Sequence, residues 1–147
     1  MRNPLFVLRA ALGMLAIAAA LSGCGMFVTH YDAAAYQNFT NLKAYHLKFI
    51  DDFGPGKAWD EAAVKRACDA GELRFREAKE YAAGKNDESR VRAVGYLHDL
   101  FSAECRLSLK TGKPFGEAYA AEEKKQAAAN YDWAVKGELA RVGAPAQ

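Results

Sequence analysis

The chain has 147 residues, of which 51% are hydrophobic and 26% are charged, with 20 basic against 18 acidic side chains. This length suits a single domain with one core. The near balance of charge excludes the one-signed electrostatic field that nucleic-acid binding needs, so we do not expect nucleic acid to be a partner.

The first 23 residues have the layout of an export signal. Arg2 and Arg9 are basic, no acidic residue precedes Asp32, and residues 10–21 form an uncharged, mainly apolar run. Such a run suits the hydrophobic region of a signal peptide but is shorter than the roughly 20 residues that span a bilayer. We therefore expect residues 1–23 to be a signal peptide that is cleaved after export.

Residues 21–24, Leu-Ser-Gly-Cys, resemble the lipobox of bacterial lipoproteins. The resemblance implies a diacylglycerol thioether on Cys24, cleavage before this residue and a further acyl chain such as palmitate on the freed amine. Several acyl chains anchor a protein durably, because each buried methylene contributes about 0.8 kcal/mol. Gly25 stands where some enteric lipoproteins carry an inner-membrane retention Asp, which favours the outer membrane, facing the periplasm. An ordinary signal peptide with a coincidental cysteine is the alternative.

Cleavage would change the charge of the chain and define its segments. Removal of residues 1–23 takes Arg2 and Arg9 from the 20 basic residues, which leaves 18 against 18 acidic. The expected segments are a lipid-anchored tether at residues 24–31, a helical domain at residues 32–142 and a frayed tail at residues 143–147. Because the tether is short, the domain is expected to lie close to the membrane.

The first two helices are predicted from apolar spacing. The first begins at the N-cap Asp32 and ends near Asp52, and the residues that fall on its helical spacing are Tyr36, Phe39, Lys43, Leu47 and Ile50. The second extends from about Trp59 to Ala83, and its stripe consists of Val64, Cys68, Gly71, Phe75, Ala78 and Ala82. Gly71 in the middle of the second helix allows a kink or a split at this position.

The third and fourth helices follow after short turns. The third helix follows residues 86–87, ends near Lys110, and presents Val94, Leu97, Phe101, Glu104 and Ser108 on one face. The fourth is Ala-rich, extends from Glu117 to Arg141, and carries Tyr131, Val135 and Leu139. Strand patterns are weak, and short connections make neighbouring helices antiparallel. The predicted fold is all-α, an antiparallel up-down-up-down four-helix bundle.

Cys68 and Cys105 are predicted to form a disulfide. They lie equally far from the turn at residues 85–87, so in an antiparallel pair of helices they stand at the same height. An oxidising periplasm permits the bond, and closing this loop would stabilise the fold by roughly 4 kcal/mol. Two separate buried thiols are the alternative.

No catalytic, metal-binding or cofactor-binding residue is predicted. His30, His46 and His98 occur in none of the spacings typical of zinc, di-iron or c-type haem sites, and a b-type haem ligand is the remaining alternative. His98 and Ser102 share a helix face, but no nucleophile elbow or phosphate-binding loop accompanies them. We therefore do not expect an enzyme.

Two surfaces are candidates for binding a partner. Tyr45, Phe49 and Trp133 lie off the predicted stripes and form the first, with core filling between Ala-rich helices as the alternative. The second consists of Lys136, Gly137, Glu138 and Arg141, because Gly137 permits close approach between charged residues, with a solvated helix end as the alternative.

The expected function follows from the anchor and the absence of catalytic patterns. The mature domain resembles small helical lipoproteins of proteobacterial envelopes. We expect a non-enzymatic, lipid-anchored protein that acts near the membrane by binding an unidentified envelope protein. A carrier or sensor that holds a small apolar ligand within the bundle is the alternative.

Overall fold

The computed structural model describes residues 30–142, which form four α-helices and no strand. The helices are α1, Ala33–Asp52; α2, Glu61–Gly84; α3, Glu88–Thr111; and α4, Glu117–Leu139. The predicted all-α fold is confirmed. The expected signal peptide, the lipobox, most of the tether and the C-terminal tail lie outside the described residues. Within residues 30–142, no helix has the length and apolar character needed to cross a bilayer.

The first three helices each begin at an aspartate. Asp32, Asp60 and Asp87 accept hydrogen bonds from backbone amides two or three residues further on. Such caps satisfy amides that have no partner within the helix, and each contributes about 1 kcal/mol. The end of α3 is formed by Gly112 in a left-handed conformation, at φ 61°, which glycine adopts without steric cost. These capping residues set where the helices begin and end, and therefore where the chain turns.

Neighbouring helices are antiparallel, as predicted. The backbone amide of Asp32 at the start of α1 donates to Glu138 near the end of α4, at 2.8 Å. At the opposite end of the bundle, Lys124 of α4 donates to Asp51 of α1, at 2.7 Å. The closest backbone approaches are between α2 and α3 and between α1 and α4, whereas α3 and α4 approach each other least among neighbours. The seam between α3 and α4 is therefore the most open side of the bundle.

The predicted buried faces of α2 and α3 are confirmed, since every residue of both stripes is buried. The stripe of α1 is partly wrong. Its buried residues are Ala35, Phe39, Leu42, His46, Phe49 and Ile50. Tyr36, Lys43 and Leu47 are only half-buried. The reason is that α1 packs against α2 and α4 and also reaches α3 across the bundle, which rotates and widens its buried face.

The end of α4 also differs from the prediction. The helix ends at Leu139 instead of Arg141, and Leu139 is 46% exposed. Glu138, which was predicted to belong to a surface, is buried. The physical reason is a buried cation on a neighbouring helix, Arg90, which pairs with this carboxylate.

Two features hold α2 and α3 close together. The helix α2 is continuous through Gly71, and a Cβ atom at this position would overlap the ring of Phe101. Glycine is therefore needed here because the helices approach too closely for a side chain. Cys68 and Cys105 face each other across the same interface at disulfide-bonding distance, with Cα atoms 5.9 Å apart.

Candidate functional site

The three aromatic residues predicted to form one surface lie in different environments. Phe49 is 2% exposed and packs against Phe101, with ring centroids 5.2 Å apart. Tyr45 is half-buried, and its hydroxyl donates to the carbonyl of Ala67 on α2. Trp133 is 81% exposed. The prediction of a shared surface is wrong, because the rotated face of α1 takes Phe49 into the core; of the three side chains, only Trp133 offers its ring to a partner.

A second exposed aromatic residue stands at a similar height to Trp133 on the adjacent helix α3. Tyr96 of α3 is 56% exposed. Tyr96 and Trp133 lie almost equally far from the turn that joins α3 to α4, which places them at a similar height in this antiparallel pair. Tyr96 was not among the residues predicted from the sequence, although its distance from the turn is the same kind of signal that pairs Cys68 with Cys105.

Three buried polar side chains meet inside the bundle, each from a different helix. His46 of α1 lies with Nε2 2.9 Å from Oε2 of Glu104 on α3, and with Nδ1 3.1 Å from the hydroxyl of Tyr131 on α4. Burial, followed by the charge of Glu104, raises the pKa of Tyr131, so its hydroxyl keeps its proton at neutral pH. If this hydroxyl donates to Nδ1, the imidazole proton stands on Nε2 and faces Glu104.

The contact between His46 and Glu104 is close but incomplete. Nε2 of His46 and Oε2 of Glu104 are, within residues 30–142, the two buried side-chain atoms without a hydrogen bond of normal geometry. An ionisable pair in a bundle core is costly to bury, and an apolar pair of the same size often gives equal or greater stability. Such a pair is therefore a candidate for function.

A cavity of about 260 Å³ opens beside this pair in the seam between α3 and α4. Its polar lining consists of His46, Glu104, Tyr119, Glu123, Gln126 and Asn130. No lysine or arginine lines the cavity. It therefore combines two carboxyl groups with one imidazole, that of His46, which lies 2.9 Å from Glu104, and with neutral hydrogen-bonding groups.

Burial and nearby carboxyl groups raise the pKa values of two lining groups. Burial, followed by the charge of Glu104, raises the pKa of Glu123. Burial, followed by the charges of Glu123 and Glu104, raises the pKa of Tyr119 to about 12. In both groups the neutral form is favoured, as is usual where a further negative charge would be poorly solvated.

A second buried polar cluster lies where the described chain begins and ends. The guanidinium of Arg90 on α3 contacts both carboxylate oxygens of Glu138 on α4, with Nε 2.8 Å from Oε2. It also lies 2.8 Å from Asp87 and donates to the backbone carbonyl of His30, at 2.7 Å. Arg90, Asp87 and Glu138 are all buried. We call these three residues the terminal cluster.

The start of α1 is attached to the terminal cluster through Asp32. Burial would raise the pKa of Asp32, but hydrogen bonds from the Tyr81 hydroxyl and from the amides of Ala35 and Ala34 hold it below its ordinary value. Tyr81 belongs to α2, so the first described residues contact α2, α3 and α4 together. The cluster gives this segment one fixed path onto the bundle.

Comparison of the chain with family models, with curated proteins and with solved structures finds no match. Within residues 30–142, no group of three or more His, Cys, Asp or Glu side chains is arranged to hold a metal ion. The two candidates for binding on the described bundle are therefore the α3–α4 cavity and the exposed ring of Trp133.

The pair of His98 and Ser102 does have a carboxylate partner, Glu72 of α2. Nε2 of His98 lies 2.6 Å from Glu72 and 3.1 Å from the Ser102 hydroxyl, which itself donates to Glu72 at 2.9 Å. A catalytic triad needs the serine and the carboxylate on opposite nitrogens of the imidazole. Here both use Nε2, so this arrangement does not relay a proton from the serine to the carboxylate.

Proposed function

We propose that this chain is a non-enzymatic, lipid-anchored protein of the bacterial cell envelope that acts by binding another protein close to the membrane. The observation that carries the proposal is the 81% exposure of Trp133. Tryptophan and tyrosine are enriched at the centres of protein interfaces, because they bury a large apolar area and still offer a polar atom. Trp133 and Tyr96 supply two such rings on the most open side of the bundle.

The anchor in this proposal is the lipid that the lipobox resemblance implies for Cys24. The chain from Cys24 to His30 spans at most about 22 Å when fully extended. Because Arg90 holds the carbonyl of His30, the terminal cluster would stand within this distance of the lipid attachment point. The rings of Trp133 and Tyr96 would then lie nearer the membrane than the far turns of the bundle.

The expected outer-membrane, periplasm-facing location rests on Gly25 and on the pair Cys68 and Cys105. An oxidising compartment would join these two cysteines, which already stand at disulfide-bonding distance. A bond between them would tie α2 to α3 and leave the α3–α4 seam as the side of the bundle that is less constrained.

The carrier alternative has no observation in its favour. A carrier of an apolar molecule needs an enclosed apolar cavity of about 300 Å³ or more. A cavity of about 450 Å³ is a groove at the α2–α3 turn whose lining includes the charged residues Asp87, Glu88 and Arg92. It lies at the surface and not within the bundle, as most of its lining residues are exposed.

The interaction is tested by placing a photoreactive amino acid at position 133 of the full-length protein and illuminating intact cells. We expect a discrete cross-linked adduct with one envelope protein. The matched control places the same amino acid at Arg66, an exposed residue of α2, and should give no such adduct. Equal adducts from both positions, or none from position 133, would contradict the proposed interaction surface.

A further inference from the structure

We propose that the end of the bundle beside the terminal cluster is a membrane-contact face, which rests on the surface of a bilayer that contains anionic lipid. Its contacts are the exposed apolar side chains of Tyr31, Leu139 and Val142 and the exposed ammonium group of Lys85. We call these four residues the end face. This contact depends on the lipid anchor of the proposed function, which would bring the chain to the bilayer.

The apolar residues of the end face lie together at one end of the bundle, where α1 begins and α4 ends. The backbone amide of Asp32 donates to the side chain of Glu138, at 2.8 Å. Tyr31 and Leu139 are the chain neighbours of this pair, so they lie on adjacent segments. The amide of Val142 donates to the carbonyl of Leu139, at 3.1 Å, which keeps Val142 at the end of α4.

Exposure of apolar side chains distinguishes the two ends of the bundle. Tyr31, Leu139 and Val142 are 38%, 46% and 61% exposed. At the opposite end the rings of Phe53 and Phe115 are buried, and the amide of Phe115 donates to the carbonyl of Phe53, at 2.8 Å. In the two turns there, residues 53–60 and 112–116, no large apolar side chain is exposed. Apolar surface that gathers at one end and not at the other is typical of a contact with an apolar partner.

The charges at this end suit an anionic lipid surface. Both carboxyl groups of the terminal cluster are buried and contact its guanidinium. Asp32 lies 3.9 Å from Lys85, and the exposed Glu88 pairs with Arg92, at 3.3 Å. The side chains of Lys85 and Lys136 are exposed. A lipid surface would therefore meet exposed ammonium groups beside paired carboxyl groups, and anionic headgroups attract such cations.

The length of the chain before the bundle explains why this end and not the other would meet the bilayer. The chain from Cys24 to His30 spans at most about 22 Å. The 20 residues of α1 extend for about 30 Å, so the far turns lie beyond that reach. Trp133 precedes the last residue of α4 by six positions, which places it about 9 Å from this end and leaves it accessible to a protein partner.

The test measures which part of the bundle contacts lipid. Full-length protein purified from bacterial membranes is reconstituted in vesicles of phosphatidylethanolamine and phosphatidylglycerol, with and without bromine atoms on the acyl chains as quenchers. A genetically encoded fluorescent amino acid is placed at Val142, at Lys113 of the opposite end, or at Lys125 in the middle of α4. We expect brominated lipid to quench position 142 about twofold or more above the other two positions.

Vesicles of phosphatidylcholine alone test the role of charge. Quenching at position 142 should be lower in these vesicles, because the exposed lysines no longer meet anionic headgroups. Equal quenching in both kinds of vesicle would contradict the preference for anionic lipid.

Two leucines of similar exposure supply a matched pair of variants. Leu139→Gln, at the end face, should lower the quenching at position 142 by about half or more, because it removes apolar surface from the contact. Leu73→Gln replaces a leucine that is 51% exposed on α2 and should leave the quenching unchanged. Circular dichroism checks that both variants are folded. Equal losses in the two variants would overturn the proposed face.

The intact mass of the same reconstituted protein separates the membrane-contact face from the anchor on which it rests. An unlipidated Cys24 would overturn both. A lipidated chain in which position 142 is quenched no more than position 113 would overturn the face alone. Stronger quenching at position 125 would mean that the bundle lies on its side. Quenching at position 142 that arises only after removal of residues 143–147 would assign the face to the C-terminal tail. Either of these last two results would also overturn it.

Discussion

The guanidinium of Arg90 donates hydrogen bonds to both carboxylate oxygens of Glu138 and to the backbone carbonyl of His30. One buried side chain therefore connects the start of α3, the end of α4 and the segment that enters the bundle. Burial alone would lower the pKa of Arg90, but the hydrogen bond and charge of Glu138 raise it, so the cation is retained. The terminal cluster therefore fixes the point at which the chain enters the bundle.

Removal of one partner of this buried pair should destabilise the protein strongly. For Arg90→Met we expect a loss of about 3–5 kcal/mol in the free energy of unfolding, because buried Glu138 would lose its two close contacts with Arg90 and keep only the guanidinium of Arg141, 3.9 Å away. Urea unfolding followed by circular dichroism measures this loss. Arg92→Met is the control, since Arg92 pairs with Glu88 in the open and the change should stay within about 0.5 kcal/mol. Similar losses in the two variants would contradict the role of the terminal cluster.

Gly71→Ala should also destabilise the protein, by about 1–3 kcal/mol, because the added methyl group would overlap the ring of Phe101. Gly95→Ala in α3 is the matched control. Nothing lies within 4 Å of a Cβ atom built at Gly95, so alanine should stabilise the helix there by about 0.5–1 kcal/mol. Thermal unfolding of both variants should shift in opposite directions, and the close approach of α2 and α3 at Gly71 would be refuted by shifts of the same sign.

The disulfide prediction has a direct chemical test. In the full-length chain expressed in bacteria and purified without reductant, Cys68 and Cys105 should resist alkylation until a reductant is added. Reduction, or the replacement Cys68→Ser, should lower the free energy of unfolding by about 2–4 kcal/mol. Cys24→Ser should leave this reductant dependence unchanged. Free alkylation of Cys68 in the unreduced, denatured protein would show that the two cysteines are separate thiols.

The stabilising contribution of Asp32 to the fold should be lost in acid. Its pKa is lowered in the folded state, so its contribution is complete above the ordinary pKa of an aspartate and is lost as the pH falls through the folded value. Asp32→Asn should therefore be less stable than the parent chain near neutral pH, and the difference should disappear in strong acid. Urea midpoints across this pH range measure it, and a difference that grew towards low pH would have the wrong sign.

The sequence predicted the parts of the fold that depend on one helix or one short turn. The stripes of α2 and α3 and the facing positions of Cys68 and Cys105 follow from helical spacing and from a tight connection. The face of α1 was misplaced because it depends on how many helices surround it, which spacing does not contain. Phe49 was assigned to the surface for this reason.

The buried polar clusters were only partly accessible from the sequence. Glu104 stood on the predicted apolar stripe of α3, and Arg90 continues that stripe one turn earlier, so both positions carried a signal of burial. Glu138 lies on the same face of α4 as Tyr131, two turns later, but its burial depends on Arg90 of another helix. The cavity in the α3–α4 seam depends on the spacing of two helices and has no counterpart in the sequence pattern.

The most direct test of the proposed anchoring is intact-mass spectrometry of the protein purified from bacterial membranes after expression of the full chain. We expect a chain that begins at Cys24 and carries a diacylglyceryl group with a further acyl chain. We also expect Cys24→Ser to abolish the lipid and to release the protein from the membrane fraction. A mature chain that begins elsewhere, or an unmodified Cys24 in a protein that still sediments with membranes, would contradict it.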